Sequence, residues 1–388
     1  MENSRTRTAA VVFAGFCAFL TLYAPQPLLP MLREAFHASA TAVSRLITVS
    51  TLAVAMAAPF AGAVADRIGR KRVIVPSALL LAIPTLLSAT AGGLGSLLFW
   101  RFWQGVFTPG IFAVTIAYIN EEWDTGAGSA MSAYVGGTVL GGFSGRMVSA
   151  FVAGHSSWRG AFVALALLDV LGGIAMWAWL PADRMAATRT RQRVSTVRAM
   201  LRHMRNTRLV ATYCVGFCVL FTLVAAFTYV NFYLADPPFR LSTAALGLLF
   251  VVYLVGAVVT PIAGRSIDRV GHRFALAAAF AVGAAGIVLT LIPHLAIVMA
   301  GLALCCTGVF IGQSAASSYI GTVAEEARAA AVGLYVMFYY IGGSFGAELP
   351  GHLWSRGGWP ACVALIGGVQ LATIGIGLAF WRQYRPVS

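Results

Sequence analysis

Apolar residues in this chain come in long, nearly unbroken runs, not in the one-sided stripes of a water-soluble helix. The runs fall at about 9–32, 46–65, 73–92, 97–120, 129–153 and 160–180, then at about 208–234, 243–264, 274–293, 295–323, 329–350 and 359–381. A helix needs about 20 apolar residues to cross a bilayer, so each run predicts one spanning helix. Between the two sets, 183–207 holds no such run, and eight arginines lie from Arg184 to Arg208. The pattern predicts an all-α polytopic membrane protein of 12 transmembrane helices: a bundle of six over 1–182, an arginine-rich linker over 183–207 and a second bundle of six over 208–388.

Composition sharpens this picture. Of 388 residues, 59% are hydrophobic and only 10% charged, with a mean hydropathy of +0.81. A soluble domain carries about 25% charged residues, so a soluble enzyme, a disordered chain and a collagen-like chain are all excluded. The net charge of +14 does not point to nucleic acid, because its arginines gather in short connections and form no folded basic face. Basic loops resist translocation. With the N-terminus inside, 20 of the 27 basic residues face the cytoplasm, which predicts cytoplasmic termini and a cytoplasmic linker. Arg5 and Arg7 precede the first run as they would in a signal peptide, but the run is too long and ends in prolines, so it is read as span one. The cysteines Cys17, Cys214, Cys218, Cys305, Cys306 and Cys362 all lie in apolar runs without metal-site spacing, and are read as small buried hydrophobes. Neither a phosphate-binding GxxxxGK[ST] nor HExxH nor GxSxG occurs. No metal, cofactor or enzymatic activity is therefore expected.

The chain also repeats itself. A shift of about 201 residues brings Gly15-Phe16-Cys17 onto Gly216-Phe217-Cys218, and Tyr134, Gly141-Gly142, Gly145 and Trp158 onto Tyr335, Gly342-Gly343, Gly346 and Trp359. Pro59 and Gly62-x-x-x-Asp66-Arg67-x-Gly69 align with Pro261 and Gly264-x-x-x-Asp268-Arg269-x-Gly271, and Glu121-Glu122 with Glu325-Glu326. Six spans per copy preserve orientation, so the halves are parallel repeats about an axis normal to the membrane, as in rocker-type transporters.

Several of these residues carry a resemblance. Gly62-Ala-Val-Ala-Asp66-Arg67-Ile-Gly69-Arg70-Lys71-Arg72, between spans two and three, resembles the hallmark loop of the major facilitator superfamily, and its weaker copy lies between spans eight and nine. Arg101-x-x-Gln104-Gly105 in span four is similar to a motif of the proton-driven members. Gly137-x-x-x-Gly141-Gly142-x-x-Gly145-Arg146 in span five resembles the antiporter motif of the drug:proton branch, departing from it at Gly142, where the motif has proline, and at Arg146, where it has glycine. Tyr23-Ala-Pro25-Gln26-Pro27 resembles arabinose-efflux-permease-like bacterial inner-membrane proteins. The resemblance spans the whole chain and implies the major facilitator fold. It also implies gating by Asp66, Arg67, Gly69, Arg70, Asp268, Arg269 and Gly271, with Asp66 held near the start of span eleven.

Physical reasoning assigns roles beside the resemblance. Gly62 is expected where two helices approach closely, and Gly69 where a turn needs positive φ. Arg101, a charge inside a span that the repeat does not reproduce, is expected either to line a cavity with Gln104 or to snorkel outward. Three prolines and Gln26 in Tyr23–Pro30 predict a kink that exposes carbonyls to a substrate or only shapes packing. Tyr23, Tyr229, Asn231, Gln313, Ser317, Tyr335 and Tyr339 complete the candidate cavity residues, although interface anchoring explains many tyrosines equally. The acids well inside spans are Asp169 and Glu348; Glu348 ranks first as proton carrier because span eleven lies nearer the cavity in the family. Static pairing of either acid with Arg101 or Arg146 is the alternative.

The expected protein is a secondary active transporter of a small molecule in a bacterial inner membrane. Proton-coupled efflux by alternating access is the leading mode, with the proton gradient as energy source and no cofactor. Its partners are the substrate, protons and the lipid bilayer, with no nucleic acid and a monomeric chain. A proton-coupled importer or uniporter on the same fold is one alternative, and a membrane-embedded enzyme or substrate-sensing receptor is another.

Overall fold

The computed structural model describes residues 2–123, 127–181, 196–324 and 328–381. Span one is α1 (Glu2–Leu20), a 3-10 turn (Gln26–Leu28) and α2 (Leu29–Ala35). Next come α3 (Ala40–Ile68), α4 (Lys71–Ser88), α5 (Leu94–Glu122), α6 (Ala127–His155) and α7 (Trp158–Trp179). After the short α8 (Thr196–His203), α9 (Thr207–Ala235) is span seven. Span eight is α10 (Thr243–Leu248), a 3-10 segment (Leu249–Tyr253) and α11 (Leu254–Val270); α12 (His272–Leu289) and α13 (Leu295–Val323) follow. The last element, α14 (Arg328–Phe380), contains both remaining spans, broken at Gly358 with φ 57°.

Among the described residues, nine helices are long and apolar enough to cross a membrane. One of them is α14, which holds two spans. The nine leave out the interrupted span one and α6, whose glycines and Arg146 dilute its hydropathy. Serine or asparagine side chains start four helices by accepting first-turn N–H groups: Ser39, Ser157, Asn206 and Ser242.

The chain forms two compact units, Met1–Arg191 with Arg240–Phe250, and Gln192–Phe239 with Val251–Ser388. The first thus takes in α10, which follows span seven in sequence. Small residues make that contact: a Cβ on Gly247 would meet Ala150 at 2.4 Å, and one on Gly154 would meet Ala244 at 3.2 Å.

Glycine packing repeats in each unit with the sequence offset. In the first, Cβ atoms on Gly141 and Gly145 of α6 would fall 2.1 and 1.7 Å from the carbonyl oxygens of Phe16 and Leu20 on α1. In the second, Cβ atoms on Gly342 and Gly346 of α14 would fall 2.0 and 2.5 Å from those of Phe217 and Phe221 on α9. Only the absence of a side chain lets these backbones touch, and close backbone approach is how helices associate where lipid removes the hydrophobic drive. The neighbouring pair repeats as well: Gly15 lies against Tyr134, and Gly216 against Tyr335.

At the loop motif the structure divides the expectations. Gly69 has φ 103° and ψ 152°, and its copy Gly271 has φ 86° and ψ 149°, a region open essentially to glycine alone. Gly62 is different, since a Cβ there would meet nothing within 4 Å. Among the described residues the close approach expected at Gly62 is therefore absent; in α6 and α14 it falls to Gly141, Gly145, Gly342 and Gly346.

Candidate functional site

The prolines of span one determine what surrounds Arg101. Pro25 has no N–H to give Thr21, and the Gln26 N–H turns to the Tyr23 carbonyl at 3.1 Å, which leaves the Leu22 carbonyl free as well. Arg101, on α5 and fully buried, supplies both: Nη1 donates to Thr21 at 3.0 Å and Nη2 to Leu22 at 2.5 Å. Its other N–H groups go to the Leu46 carbonyl at 3.2 Å, to Ser50 Oγ at 2.8 Å and to Gln104 Oε1. The Ala24 carbonyl accepts from Ser149 Oγ at 2.6 Å, and the Pro25 carbonyl from the Leu28 N–H at 2.9 Å. Every carbonyl from Thr21 to Pro25 is thus taken within the protein, and so are all five guanidinium donors.

Two readings change as a result. The kink does not leave carbonyls open to substrate, and Arg101 neither snorkels nor presents a free donor. It staples the break in span one to α3 and α5. Ser50 and Ser149 are site residues that the sequence reading missed. The available signal was a serine inside an apolar run, too common in spans to single out.

Arg146 occupies a second buried position on α6. Its Nε donates to Gln26 Oε1 at 2.8 Å and its Nη1 to the Gly142 carbonyl at 2.6 Å. The guanidinium carbon lies 5.1 Å from the Tyr23 ring centroid and 4.7 Å from that of Phe250, a cation held against two aromatic faces. Gln26 and Tyr23 are thus brought together with Arg146. Phe250 was not foreseen, because it lies more than 200 residues from Tyr23 in sequence.

The two acids differ sharply. Asp169 on α7 is 1% exposed; its Oδ2 lies 3.0 Å from Thr85 Oγ1, and its Oδ1 is buried without a hydrogen-bond partner. It forms no ion pair with Arg101 or Arg146, so static pairing does not explain it. The Glu348 side chain is 24% exposed, with His352 Nε2 at 3.9 Å.

In the second unit, four candidates converge. Tyr339 donates to Gln313 Oε1 at 3.3 Å, its ring lies 6.0 Å from that of Tyr335, and Ser317 is beside the Tyr335 hydroxyl. Tyr229 and Asn231 stand apart from these four. Tyr229 donates to the Ala347 carbonyl at 2.7 Å, and Asn231 returns its amide to the Phe227 carbonyl at 2.5 Å. Both are fully buried in the helix packing.

This geometry stands beside clear similarities to known proteins. The family model described as Major Facilitator Superfamily matches residues 11–347 and 235–388. The chain belongs to that superfamily. The inner membrane transport protein YnfM of Escherichia coli is 32% identical, over 97% of this chain and 90% of its own length. The uncharacterized MFS-type transporter YybF of Bacillus subtilis is 31% identical over 95% and 92%. The solved nucleoside transporter NupG superposes with a TM-score of 0.80 at 14% identity, covering 97% of this chain and all of that one. At that identity the likeness speaks for the fold alone.

The superfamily's loop motif places its charges at one end of the first unit. Arg70 is 6% exposed; it contacts Asp66 at 2.7 Å and binds Glu121 through two bonds, Nη2 to Oε1 at 2.6 Å and Nε to Oε2 at 3.1 Å. Burial works against this cation, and the Glu121 and Asp66 carboxylates outweigh it, so Arg70 titrates above its ordinary value. Glu121 and Glu122 end α5, where the helix dipole disfavours acids. Arg70 compensates the first, while Arg7 lies 3.9 Å from Glu122 and over the Trp123 ring at 4.4 Å. Arg67 and Arg269 are exposed. The side chain of Asp268, and Glu325 and Glu326 altogether, lie outside the described residues.

Proposed function

We propose that this chain is a secondary active transporter that exports a small molecule in exchange for protons by alternating access. One structural observation carries the coupling: Asp169 is a carboxyl group in the middle of a span, buried and, among the described residues, without an ion-pair partner. Such a group is costly to keep for structure alone and is what a proton relay needs. Export draws support from a relative named chloramphenicol resistance protein CraA of Acinetobacter baumannii, 28% identical over 46% of this chain and 44% of its own. The arginine distribution supports cytoplasmic termini and residence in a bacterial inner membrane. Within this reading, the loop charges Asp66, Arg67, Arg70, Asp268 and Arg269 gate one face. Gln313, Ser317, Tyr335 and Tyr339 offer an aromatic and hydrogen-bonding wall to the transported compound.

Everted membrane vesicles energised to an acidic interior test this. Addition of chloramphenicol and a panel of aromatic amphipaths should release protons and restore the fluorescence of a pH-quenched dye, only where the protein is present. In intact cells, accumulation of the responding compound should fall. A rise in accumulation would make the protein an importer, and equilibration indifferent to the gradient would make it a uniporter.

A further inference from the structure

The short helix α8 stands directly before span seven. Only Met204–Asn206 separate it from α9, and their N–H groups turn back to the carbonyls of Met200, Arg202 and His203 at 3.1, 3.1 and 3.0 Å. Asn206 Oδ1 then caps α9 by accepting from the Arg208 N–H at 3.1 Å. Three residues reach at most about 10 Å. The helix is therefore tied to the end of a transmembrane span and cannot leave the surface of the bilayer.

Its residues sort into rows. Met200 reaches α14, where a Cβ on Gly333 would lie 3.7 Å from its Cε, and His203, one turn on, is 6% exposed. That row docks the helix. Leu201 and Met204, also one turn apart, are 65% and 40% exposed. Arg202 and Arg205 make a third row, and both are exposed. Side chains three or four residues apart share a helix face, so an uncovered apolar strip runs beside a basic one.

A single exposed leucine needs no explanation. The charge beside it does. Eight arginines lie from Arg184 to Arg208, and no Asp or Glu occurs between Asp183 and Asp236 to offset them. Like charges at that density repel, and a helix of eight residues is too short to hold in water unaided. Docking on α14 covers only one row. An anionic surface would neutralise the repulsion, and an apolar boundary under Leu201 and Met204 would bury the strip. A leaflet with anionic headgroups supplies both at the one place α8 can reach.

We propose that α8 is a binding surface for anionic phospholipid, with Arg202 and Arg205 holding headgroup phosphates and Leu201 and Met204 inserted at the acyl boundary beside them. The guanidinium fork matches the oxygens of a phosphate. Each arginine at an anionic surface raises affinity about fivefold. The cytoplasmic placement of the linker, proposed above, decides only which leaflet is meant; the site depends neither on transport nor on its direction. Because α8 is docked on α14 and leads into α9, lipid held here steadies the ends of spans seven and eleven.

Native mass spectrometry of the full-length solubilised protein, titrated with phosphatidylglycerol or phosphatidylcholine, tests the surface. The wild type should bind phosphatidylglycerol more tightly, and added salt should shrink that preference by screening the arginines. Arg202→Gln with Arg205→Gln should weaken phosphatidylglycerol about 25-fold and leave phosphatidylcholine unchanged. Arg240→Gln with Arg356→Gln removes the same charge from other exposed positions and should keep the preference. Leu201→Gln keeps every charge and should weaken both lipids. In nanodiscs, an equal mixture of the two lipids should raise the unfolding midpoint of the wild type above that in phosphatidylcholine alone, a gain the Arg202/Arg205 variant should lose. Equal binding of the two lipids, or a preference that this variant retains or the Arg240/Arg356 variant loses, overturns the proposal. So does a wild-type preference indifferent to salt, which decides the matter even if the variants do not fold. Unchanged binding in Leu201→Gln overturns the insertion of the apolar strip.

Discussion

Replacing Arg101 by lysine keeps the buried charge but takes away the planar fork. The ammonium offers three donors on one atom, so at least two of the five bonds to Thr21, Leu22, Leu46, Ser50 and Gln104 must go. Hydrogen bonds to charged groups contribute about 1.5–3 kcal/mol each, which puts the loss at about 3–6 kcal/mol. A unit of this size melts roughly 2–4 °C lower per kcal/mol, so Arg101→Lys should lower the midpoint by at least about 6 °C. Thermal unfolding of the detergent-solubilised protein can be followed with a thiol-reactive dye, because five of the six cysteines are buried when folded. The proline origin of the site gives a second arm. Pro25→Ala returns an N–H to the Thr21 carbonyl, so the double variant should lose less than the sum of the single ones, by about 0.5 kcal/mol or more. A fall under about 2 °C, or strict additivity, would refute the account of Arg101 as the keeper of the span-one break. Such a result would restore the cavity-lining role.

Further outcomes follow from other parts of the chain. Gly141→Val should prevent stable folding of the first unit, because even a Cβ would lie 2.1 Å from the Phe16 carbonyl, whereas Gly62→Ala, with open space around it, should melt within about 2 °C of wild type. Gly69→Ala and Gly271→Ala should each cost about 1–3 kcal/mol in the same assay, since both copies adopt backbone angles that disfavour any Cβ. Asp66→Asn removes a contact from a side chain that is 61% exposed, so stability should barely change, by about 0–1 kcal/mol, while turnover at matched expression falls; unchanged turnover would remove Asp66 from the gate. A cysteine at Ser195, in the linker beyond the described residues, should resist an impermeant thiol reagent in intact cells, and labelling from outside would reverse the orientation.

The spans were legible because a bilayer requires long apolar runs and little else, and the repeat because its glycines recur at a fixed offset. Contacts bear this out residue by residue, with Gly141 on Phe16 and Gly145 on Leu20 matched by Gly342 on Phe217 and Gly346 on Phe221. The polar interior was legible only as a set of names. Arg101 and Gln104 are expected near each other from their spacing, and Pro25 marks the Thr21 carbonyl as one without its helical N–H, but nothing in the sequence says that Arg101, 79 and 80 residues from Leu22 and Thr21, would take those carbonyls. Glu348 ranks above Asp169 in the sequence on the position of its helix, whereas the structure buries Asp169 at 1% exposure and leaves the Glu348 side chain 24% exposed: depth in a bundle depends on rotation about the helix axis, which an unbroken apolar run does not reveal. Gly62 failed for the opposite reason. A motif glycine was read as a packing contact, while the residues that pack are glycines spaced four apart.

What the two copies share and what they do not separates scaffold from mechanism. The glycine contacts and the positive φ at Gly69 and Gly271 recur, so they belong to the fold. The cluster around Arg101 and Arg146 in the first copy does not recur, and its arginines and prolines are lost together. At the offset of 201, Pro25, Pro27 and Pro30 become Ala226, Thr228 and Asn231; Gln26 becomes Phe227, and Arg146 becomes Ala347. With no proline to interrupt it, α9 runs unbroken from Thr207 to Ala235, frees no carbonyls in its middle, and needs no arginine from span ten, which is apolar at Leu302–Cys305. Breaking the helix and supplying the arginine are therefore one feature, since either alone would leave a buried polar group unsatisfied.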